Sequence, residues 1–313
     1  MFVERLIASM AKNRIDTSNP DTIKRLMKEG RGFGDYENYI SWLHVQDVPS
    51  LGRSHRMQGW RTGNRVVHLL SYLEVQHFYN LEWDRRVDDY HEQFPLDKEV
   101  TERLAKNMGI PHPRIHGRRR NANGEWTVVR ATNVMTTDIL VFYKVGDRTW
   151  REAHSVKPLA KLEGKGNERT KEKLRLEQAY WEGLNEEWEG LNVKWRLVTD
   201  APVGPEHGFS PDALIVIDRV LVSNMEWIHD CFHLDGFASL TKADVVRVHD
   251  ALWTQVREGR EALTDLAIRC DESLKLPEGA SLTIAKHLMA RRVWPVDFTK
   301  PFHPCHPLAL NLN

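Results

Sequence analysis

Residues 138–144 read Asp-Ile-Leu-Val-Phe-Tyr-Lys, and residues 150–157 read Trp-Arg-Glu-Ala-His-Ser-Val-Lys. The first segment is apolar on both alternating faces, which is typical of a central strand. Gly146 and Asp147 supply turn residues between the two segments, and Pro158 ends the second. The pair therefore predicts a β-hairpin at the centre of a sheet.

The segments around this hairpin alternate between helical and extended patterns. Residues 66–83 place leucines and aromatic residues on one helical stripe, and residues 168–188 form a charged amphipathic helix. Residues 194–199 return as a strand. Two adjacent strands, a helix and a third strand predict an α/β fold, a mixed sheet flanked by helices.

A stretch rich in proline and glycine, residues 201–211, separates this pattern from a mostly helical one. Such a stretch continues neither a helix nor a central strand, so it reads as a linker. We therefore predict two domains, residues 1–202 and 212–313. The second has predicted helices at 220–231, 242–258, 261–270 and 281–292. Its last two helices would suit a helix-turn-helix or winged-helix unit that binds DNA or a partner.

The bulk composition narrows the class of protein. Lys and Arg together number 44, as do Asp and Glu, so the formal net charge is zero. A lone non-specific DNA-binding protein is normally basic, so contacts with nucleic acid must come from local patches or from partners. No apolar run approaches the ~20 residues of a membrane span, and the first residues lack the pattern of a secretory signal. Three widely spaced cysteines favour a reducing cytoplasm over a disulfide framework.

Three polar residues interrupt the apolar patterns of the first domain. Glu74 falls on the stripe of residues 66–83, where carboxylates are rarely buried unless they are paired or bind a metal. Asp138 opens the first strand of the hairpin, and Lys157 ends the second, so pairing would bring them close together. Taken alone, each residue has an ordinary alternative explanation. Glu74 would lie at the edge of the stripe, Asp138 would be a turn aspartate, and Lys157 would be an exposed lysine on an edge strand.

Together, these residues predict a phosphodiesterase site. Asp138 and Glu74 would hold a divalent metal that polarises the scissile phosphate and lowers the pKa of the attacking water. The backbone carbonyl of Val156 would add an oxygen ligand, which suits Mg²⁺, with Mn²⁺ as a substitute. Lys157 would position or help to deprotonate the water and stabilise charge in the transition state. This short, degenerate pattern is that of restriction-endonuclease-like nucleases.

Longer strings surround these residues. They are Lys28-Glu-Gly-Arg-Gly, Tyr39-Ile-Ser-Trp-Leu-His-Val-Gln-Asp, His68-Leu-Leu-Ser-Tyr-Leu-Glu-Val, Glu92-Gln-Phe-Pro-Leu, Met135-Thr-Thr-Asp, Val156-Lys-Pro and Lys173-Leu-Arg-Leu-Glu-Gln-Ala-Tyr-Trp. In order and spacing, from about residue 28 to residue 200, they resemble the TnsA family of transposon endonucleases. Beyond the linker the resemblance is much weaker, chiefly Asn224-Met-Glu-Trp-Ile.

That resemblance implies a restriction-endonuclease-like catalytic domain followed by a helical C-terminal domain. It implies a metal-dependent endonuclease subunit of a cut-and-paste DNA transposase, which hydrolyses the phosphodiester at the 5′ ends of the transposon. A TnsB-like transposase of the RNase H type would cut and join the 3′ ends, and a TnsC-like AAA+ regulator would dock on the C-terminal domain. The protein would then act on transposon-end DNA in the bacterial cytoplasm.

The resemblance also implies roles for single residues. The family's catalytic acidic residue, aspartate and lysine fall on Glu74, Asp138 and Lys157. Glu177 matches a further acidic position on the apolar side of its helix, with a supporting or second-metal role. Ser155 departs from the family, which carries glutamine there. Because serine is shorter and a weaker ligand, it predicts weaker metal binding, or a carbonyl or water as the ligand at this place.

Two other functions stay open. One is an assembly subunit that bridges transposase and regulator with a weakened nuclease site, an idea that Ser155 motivates. The other is a stand-alone restriction-like nuclease, which the neutral net charge disfavours.

The remaining candidates are basic clusters and one metal pattern. The densest basic run lies in a predicted loop before the catalytic strand and would either contact phosphates or be solvated; it contains Arg114, Arg118, Arg119 and Arg120. Weaker candidates for DNA contact on the last predicted helix are Lys286, Arg291 and Arg292. A zinc site is a further alternative, although its spacings differ from those of structural zinc motifs; its residues are His229, Cys231, His233, His303, Cys305 and His306.

Overall fold

The computed structural model describes residues 15–48, 54–120, 123–164, 166–187, 192–235, 237 and 240–312. The chain divides into two compact units, Met1–Ile217 and Asp218–Asn313. The division lies beyond the predicted linker because Leu214–Val216 adds a strand to the sheet of the first unit. Residues 212–217 therefore belong to the first unit and not, as the sequence predicted, to the second.

A five-stranded mixed sheet forms the centre of the first unit. The helices and strands of this unit, in chain order, are α1 (Pro20–Lys28), β1 (His55–Gln58), β2 (Val66–Leu69), α2 (Tyr72–Trp83), β3 (Val87–Pro95), α3 (Lys98–Asn107), β4 (Arg114–Arg120), β5 (Trp126–Thr132), β6 (Thr136–Val145), β7 (Arg148–Val156), α4 (Glu168–Glu187), β8 (Val193–Thr199) and β9 (Leu214–Val216). The central sheet has the order β3–β6–β7–β8–β9. Its first three strands are antiparallel, and β8 and β9 continue parallel to β7. The predicted α/β fold with a mixed sheet is confirmed.

Helices lie on both faces of the central sheet. On one face, Leu140 and Ala153 join Leu174 and Trp181 of α4 in a single buried cluster. Residues of the opposite alternation face α2, where His77 Nε2 lies 2.8 Å from Nδ1 of His154 on β7. Each helix can therefore deliver side chains to the same end of the β6–β7 hairpin from a different side.

Helix α2 begins later than the helical pattern predicted. Residues 66–69 form β2, which pairs with β1, and Ser71 caps a helix that starts at Tyr72. The Ser71 hydroxyl accepts a hydrogen bond from the Glu74 N–H, and the Glu74 carboxylate accepts hydrogen bonds from the Leu70 N–H and from Ser71 Oγ. Leu70 is thus outside the helix, and Glu74 lies in its first turn. The Ser-x-x-Glu pattern at 71–74 was the sequence signal for this helix start.

The basic run that the sequence placed in a loop is also different. Residues 114–120 form β4, which pairs antiparallel with β5 to make a separate two-stranded sheet. Cross-strand pairing overrides the loop signal of Gly117, which sits opposite Val129.

The second unit is helical in its described residues. Its helices are α5 (Arg219–Ile228), α6 (Lys242–Glu258), α7 (Leu263–Leu274) and α8 (Ala280–Ala290), and α6, α7 and α8 pack on one another. The predicted helix 242–258 is confirmed, whereas the one predicted at 261–270 begins at Leu263 and runs to Leu274. In the described part of this unit, the only β pairing is an isolated bridge between Val296 and Leu310. A wing hairpin is therefore not seen there.

No described helix is both long and apolar enough to span a lipid bilayer. The three cysteines are free thiols; Cys231 and Cys270 are buried, and Cys305 is exposed.

Candidate active site

The ends of the β6–β7 hairpin bring Asp138 and Lys157 into contact. Lys157 Nζ lies 2.6 Å from Asp138 Oδ2, and the Val156 N–H donates to the same oxygen at 2.7 Å. Lys157 Nζ also donates to the carbonyl of Val156 at 2.8 Å. The antiparallel register, with Ile139 opposite His154, produces this meeting because it aligns the first residues of β6 with the last residues of β7.

The charge of Lys157 is set by its neighbours. Burial lowers the pKa of the ammonium group, but the carboxylates of Asp138, Glu74 and Glu177 outweigh that effect and hold the pKa above its ordinary value. A protonated lysine donates hydrogen bonds and cannot take a proton. Of the two roles predicted for Lys157, the structure therefore favours orientation and charge stabilisation over proton abstraction.

Glu74 reaches the hairpin from α2 and is only 5% exposed. Burial raises the pKa of its carboxyl group to about 7, with a further contribution from the charge of Asp138. The Leu70 N–H, Lys157 and Ser71 act in the opposite direction. Of the two alternatives for Glu74, the structure therefore shows a buried carboxylate and not a residue at the stripe edge, and its partners are a capping serine and a loop N–H.

Glu177 reaches the same place from α4 and is 7% exposed. Burial, followed by the charge of Asp138, raises the pKa of its carboxyl group to about 7; hydrogen bonds from Ser155 and Thr137 oppose this, as does Lys157. Its Oε1 atom is buried without a hydrogen-bond partner in the described part of the chain. A buried, unpartnered carboxylate oxygen beside the carboxylate of Asp138 is suited to a cation.

Ser155, the position that departs from the family, is a fully buried residue of β7. Its Oγ accepts a hydrogen bond from Nε1 of Trp195 at 3.0 Å, and its hydroxyl lowers the pKa of Glu177. The serine therefore links a strand of the core to a carboxylate of the site.

Gln93 is a contributor that sequence reasoning missed. It is buried in β3 with φ at 51°, a conformation that side-chain-bearing residues rarely adopt. Its Nε2 lies 3.5 Å from Glu74 Oε2, and its Oε1 accepts a hydrogen bond from Thr136 Oγ1 at 3.2 Å. The strained backbone thus turns an amide toward the site, and such strain is common where function fixes a side chain.

A cavity of about 540 Å³ opens beside Asp138, Lys157 and Glu177. Two more lysines line it, Lys161 and Lys173. Asp138 and Glu177 line this space with Asp47, which is paired with Arg31, and three lysines also line it. These lysines suit the phosphates of a polyanionic ligand.

The predicted basic residues lie at three different places. Arg114 lines a smaller neighbouring cavity, whereas the side chains of Arg118, Arg119 and Arg120 lie outside the described part of the structure. In the second unit, Lys286 Nζ lies 4.5 Å from the centre of the Trp227 ring, and the guanidinium of Arg291 lies 4.5 Å from that of Phe232. Arg292 follows α8 with φ at 57°.

In the described residues, one group of three possible metal ligands has its ligand atoms within 4.8 Å of one another: Asp35, Asp89 and His91. Asp89 already accepts hydrogen bonds from the N–H groups of Tyr36 and Tyr90, which gives the group a structural role. The histidines and cysteines of the alternative zinc pattern form no such group there. Nor do Glu74, Asp138 and Glu177 form such a group.

The central sheet with helices on both faces, and carboxylates that converge on a lysine at the end of a hairpin, define an α/β protein with an acid-and-lysine site. Residues 84–200 match the family model described as TnsA-like endonuclease N terminal, and residues 217–298 match TnsA endonuclease C terminal. The two matches together cover more than half of the chain, which belongs to the TnsA endonuclease family.

One relative is the transposon Tn7 transposition protein TnsA of Escherichia coli, which is 47% identical over 160 residues. The match covers 51% of this chain and 52% of that protein, so the chain spans about half the length of this relative. The N-terminal family match includes Asp138, Lys157 and Glu177, but it begins after Glu74.

Proposed function

We propose that this protein is the endonuclease subunit of a cut-and-paste DNA transposase, and that it hydrolyses the phosphodiester at the 5′ ends of the transposon. Its first unit would be a restriction-endonuclease-like catalytic domain acting on transposon-end DNA in the bacterial cytoplasm. The observation that carries the proposal is the convergence of Glu74, Asp138 and Glu177 on Lys157 beside an open cavity lined with further lysines.

The donor set of this site fits a hard divalent cation. Carboxylate and carbonyl oxygens are the ligands that Mg²⁺ prefers, and Glu177 offers a buried oxygen without a partner in the described part of the chain. Asp138, Glu74 and the Val156 carbonyl would hold Mg²⁺, or Mn²⁺ in its place, with Glu177 as a further ligand. When bound, such an ion polarises a phosphate oxygen and lowers the pKa of an attacking water.

The chain's own residues would perform the remaining work. Lys157, kept protonated by the carboxylates around it, would donate to the phosphate and stabilise the charge that develops on it. Ser71 and Gln93 would hold Glu74 in place from the helix cap and from β3. Ser155 would do the same for Glu177.

The test is a cleavage assay on transposon-end DNA, with and without a co-encoded transposase. We expect Asp138→Asn and Lys157→Ala to abolish 5′ cleavage while folding and association with the partner persist. Matched controls lie at the opposite end of the same hairpin, where Asp147→Asn and Lys144→Ala change the same residue types at exposed positions. Retained 5′ cleavage in both active-site variants would rule out this site.

The second unit is proposed to bind partners. An AAA+ regulator of the TnsC type would dock on this helical unit, and a TnsB-like transposase of the RNase H type would cut and join the 3′ ends. DNA contact by Lys286, Arg291 and Arg292, through a helix-turn-helix unit without a wing hairpin in its described residues, belongs to the same proposal. Neutral substitution of these three residues should weaken either regulator binding or DNA binding, and pull-down and gel-shift assays separate the two.

A second candidate function is an assembly subunit with a weakened nuclease site. The observation that favours it is Ser155, whose hydroxyl is engaged with Trp195 and Glu177. Titration with Mg²⁺ and Mn²⁺, in the presence of transposon-end DNA and the transposase, distinguishes the two functions. Absence of binding at millimolar metal would favour the assembly role over the nuclease.

A further inference from the structure

A second cavity adjoins the candidate active site. It has a volume of about 420 Å³ and shares Pro113, Asn133 and Lys173 with the larger cavity. Its other lining residues are Pro111, His112, Arg114 and Arg169. The two cavities therefore meet along one wall, and Lys173 stands at the junction.

Every charged side chain that lines this second cavity is cationic. The side chains of Lys173 and Arg114 have neither an ion pair nor a hydrogen bond to another residue in the described part of the chain. Arg169 pairs with Glu172 at 2.7 Å and donates to the carbonyl of Pro111. Burial, then the like charges of Arg169 and Lys157, lower the pKa of Lys173. Of these three cations, only Arg169 has a carboxylate partner among the described residues, so the lining carries net positive charge and would stabilise an anion.

Helix α4 arranges these charges in a row. Arg169, Lys173 and Glu177 are four residues apart, so they lie on one face of the helix, separated by ~6 Å along its axis at 1.5 Å per residue. The row runs from Glu177 in the active site to Lys173 at the junction and on to Arg169 in the second cavity. Lys171, which is off this face, is instead paired with Glu168 at 3.0 Å.

We propose that the second cavity is a subsite for the phosphate next to the scissile one, bound by Lys173 with Arg169 and Arg114. The inference rests on the proposed function, because it needs a DNA strand whose scissile phosphate lies at Asp138 and Lys157. Such a strand carries a negative charge on every nucleotide, so a neighbouring phosphate must follow close by. On this face of α4, cations follow Glu177 only on the side of Lys173 and Arg169. The bound strand would therefore run from the active site toward Arg169.

The first experiment measures the salt dependence of DNA binding by the full chain together with the co-encoded transposase, without divalent metal. We expect Lys173→Gln to make the slope of log affinity against log salt shallower by about 0.9, the value for one lost phosphate contact. Lys173→Arg should restore the slope, and Lys144→Gln, at an exposed site across the hairpin, should leave it unchanged. A slope for Lys173→Gln equal to that of wild type would overturn the subsite.

A second experiment localises the contact. In a series of duplexes, each with one neutral methylphosphonate, wild-type protein should lose affinity at the phosphate beside the cut, and Lys173→Gln should show no additional loss there. Equal penalties for both proteins at every position would overturn the assignment. Both experiments measure DNA binding and do not require cleavage. If the subsite is wrong but the proposed function is right, the two binding results fail while the cleavage assay still shows 5′ cutting. If the proposed function is wrong, the cleavage assay shows no cutting, whatever the binding measurements give.

Discussion

Glu74 and Glu177 illustrate how single residues acquire their chemistry from their surroundings. Both are ordinary glutamates on helices, yet both are buried next to Asp138, and each has a pKa of about 7. Their pKa values lie within the physiological range, so their charge depends on small changes in pH.

The first prediction concerns stability without metal. Because the pKa of each carboxyl group is raised, the folded protein still binds a proton at pH values where the unfolded chain has released it. Proton binding therefore favours the folded state. This contribution to stability is fully present below about pH 4.5 and is lost as the pH rises through about 7. From pH 5 to pH 8, the free energy of unfolding of the wild type should therefore fall by roughly 2 kcal/mol relative to that of Glu177→Gln. Urea denaturation at the two pH values measures it, with Glu182→Gln on the same helix as control; an equal difference at both would contradict the prediction.

The second prediction concerns Ser155. In Ser155→Ala, the Nε1–H of Trp195 loses its acceptor in a buried place, which should cost about 1–3 kcal/mol. Glu177 also loses a hydrogen bond that lowers its pKa, so the pH at which metal binding reaches half its maximum should rise. Calorimetric titration with Mn²⁺ between pH 6 and pH 8 measures the shift. In a Trp195→Phe background the same substitution should cost much less stability, and full additivity of the two changes would argue against the link.

Sequence reasoning found part of this chemistry. Glu74, Asp138 and Lys157 break apolar patterns, so each one is visible in the sequence. Gln93 leaves no such signal, because its contribution depends on a backbone conformation with φ at 51°. Lys173 leaves no such signal either, because charged residues are common on an amphipathic helix, and only the position of α4 on the sheet showed which charges face the site.

At the scale of elements, the first turn of α2 positions Glu74. The capping hydroxyl of Ser71 accepts from the helix and also donates to the carboxylate of Glu74. Helix cap and active site therefore share one side chain.

The third prediction is that Ser71→Ala costs about 1 kcal/mol of stability, the usual loss for a capping serine. It should also reduce metal affinity, since Glu74 keeps only part of its hydrogen bonding. Ser71→Thr retains a capping hydroxyl and should behave like wild type in both measurements, denaturation and metal titration. Unchanged stability in Ser71→Ala would show that the cap seen here contributes nothing.

The elements that the sequence predicted best are those with strong periodicity, such as the hairpin 138–157 and helix 242–258. The errors arose where pairing decided the structure. Val66–Leu69 and Arg114–Arg120 became strands because each found an antiparallel partner elsewhere in the chain, which no local pattern reveals.

For the whole molecule, the sheet extends past the linker that composition suggested. Phe209 is buried with its ring centre 5.7 Å from that of Trp195, and Leu214–Val216 pairs with β8. A three-residue strand just after Pro211 is too short to recognise from the sequence, so the predicted boundary fell too early.

The fourth prediction compares two truncations. A fragment of residues 1–217 should unfold cooperatively, whereas a fragment of residues 1–202 lacks β9 and the Phe209 side chain. Because loss of a buried phenylalanine typically costs 3–5 kcal/mol, we expect the shorter fragment to be less stable by about that amount. Denaturant unfolding followed by circular dichroism provides the comparison, with the full chain as reference. Equal denaturation midpoints for the two fragments would contradict the prediction and would support a domain boundary at the linker, residues 201–211.

The parallel pairing of β7 with β8 also determines the order in which the sheet forms while the chain leaves the ribosome. The hairpin with Asp138 and Lys157 can close as soon as residue 157 has emerged, since its contacts are local. Its outer edge on β7 then stays uncovered until α4 and β8 have been translated. The nascent chain therefore exposes an incomplete sheet when two of its three site carboxylates, those of Glu74 and Asp138, have already been translated. The third, Glu177, is translated only in the interval before that edge is covered.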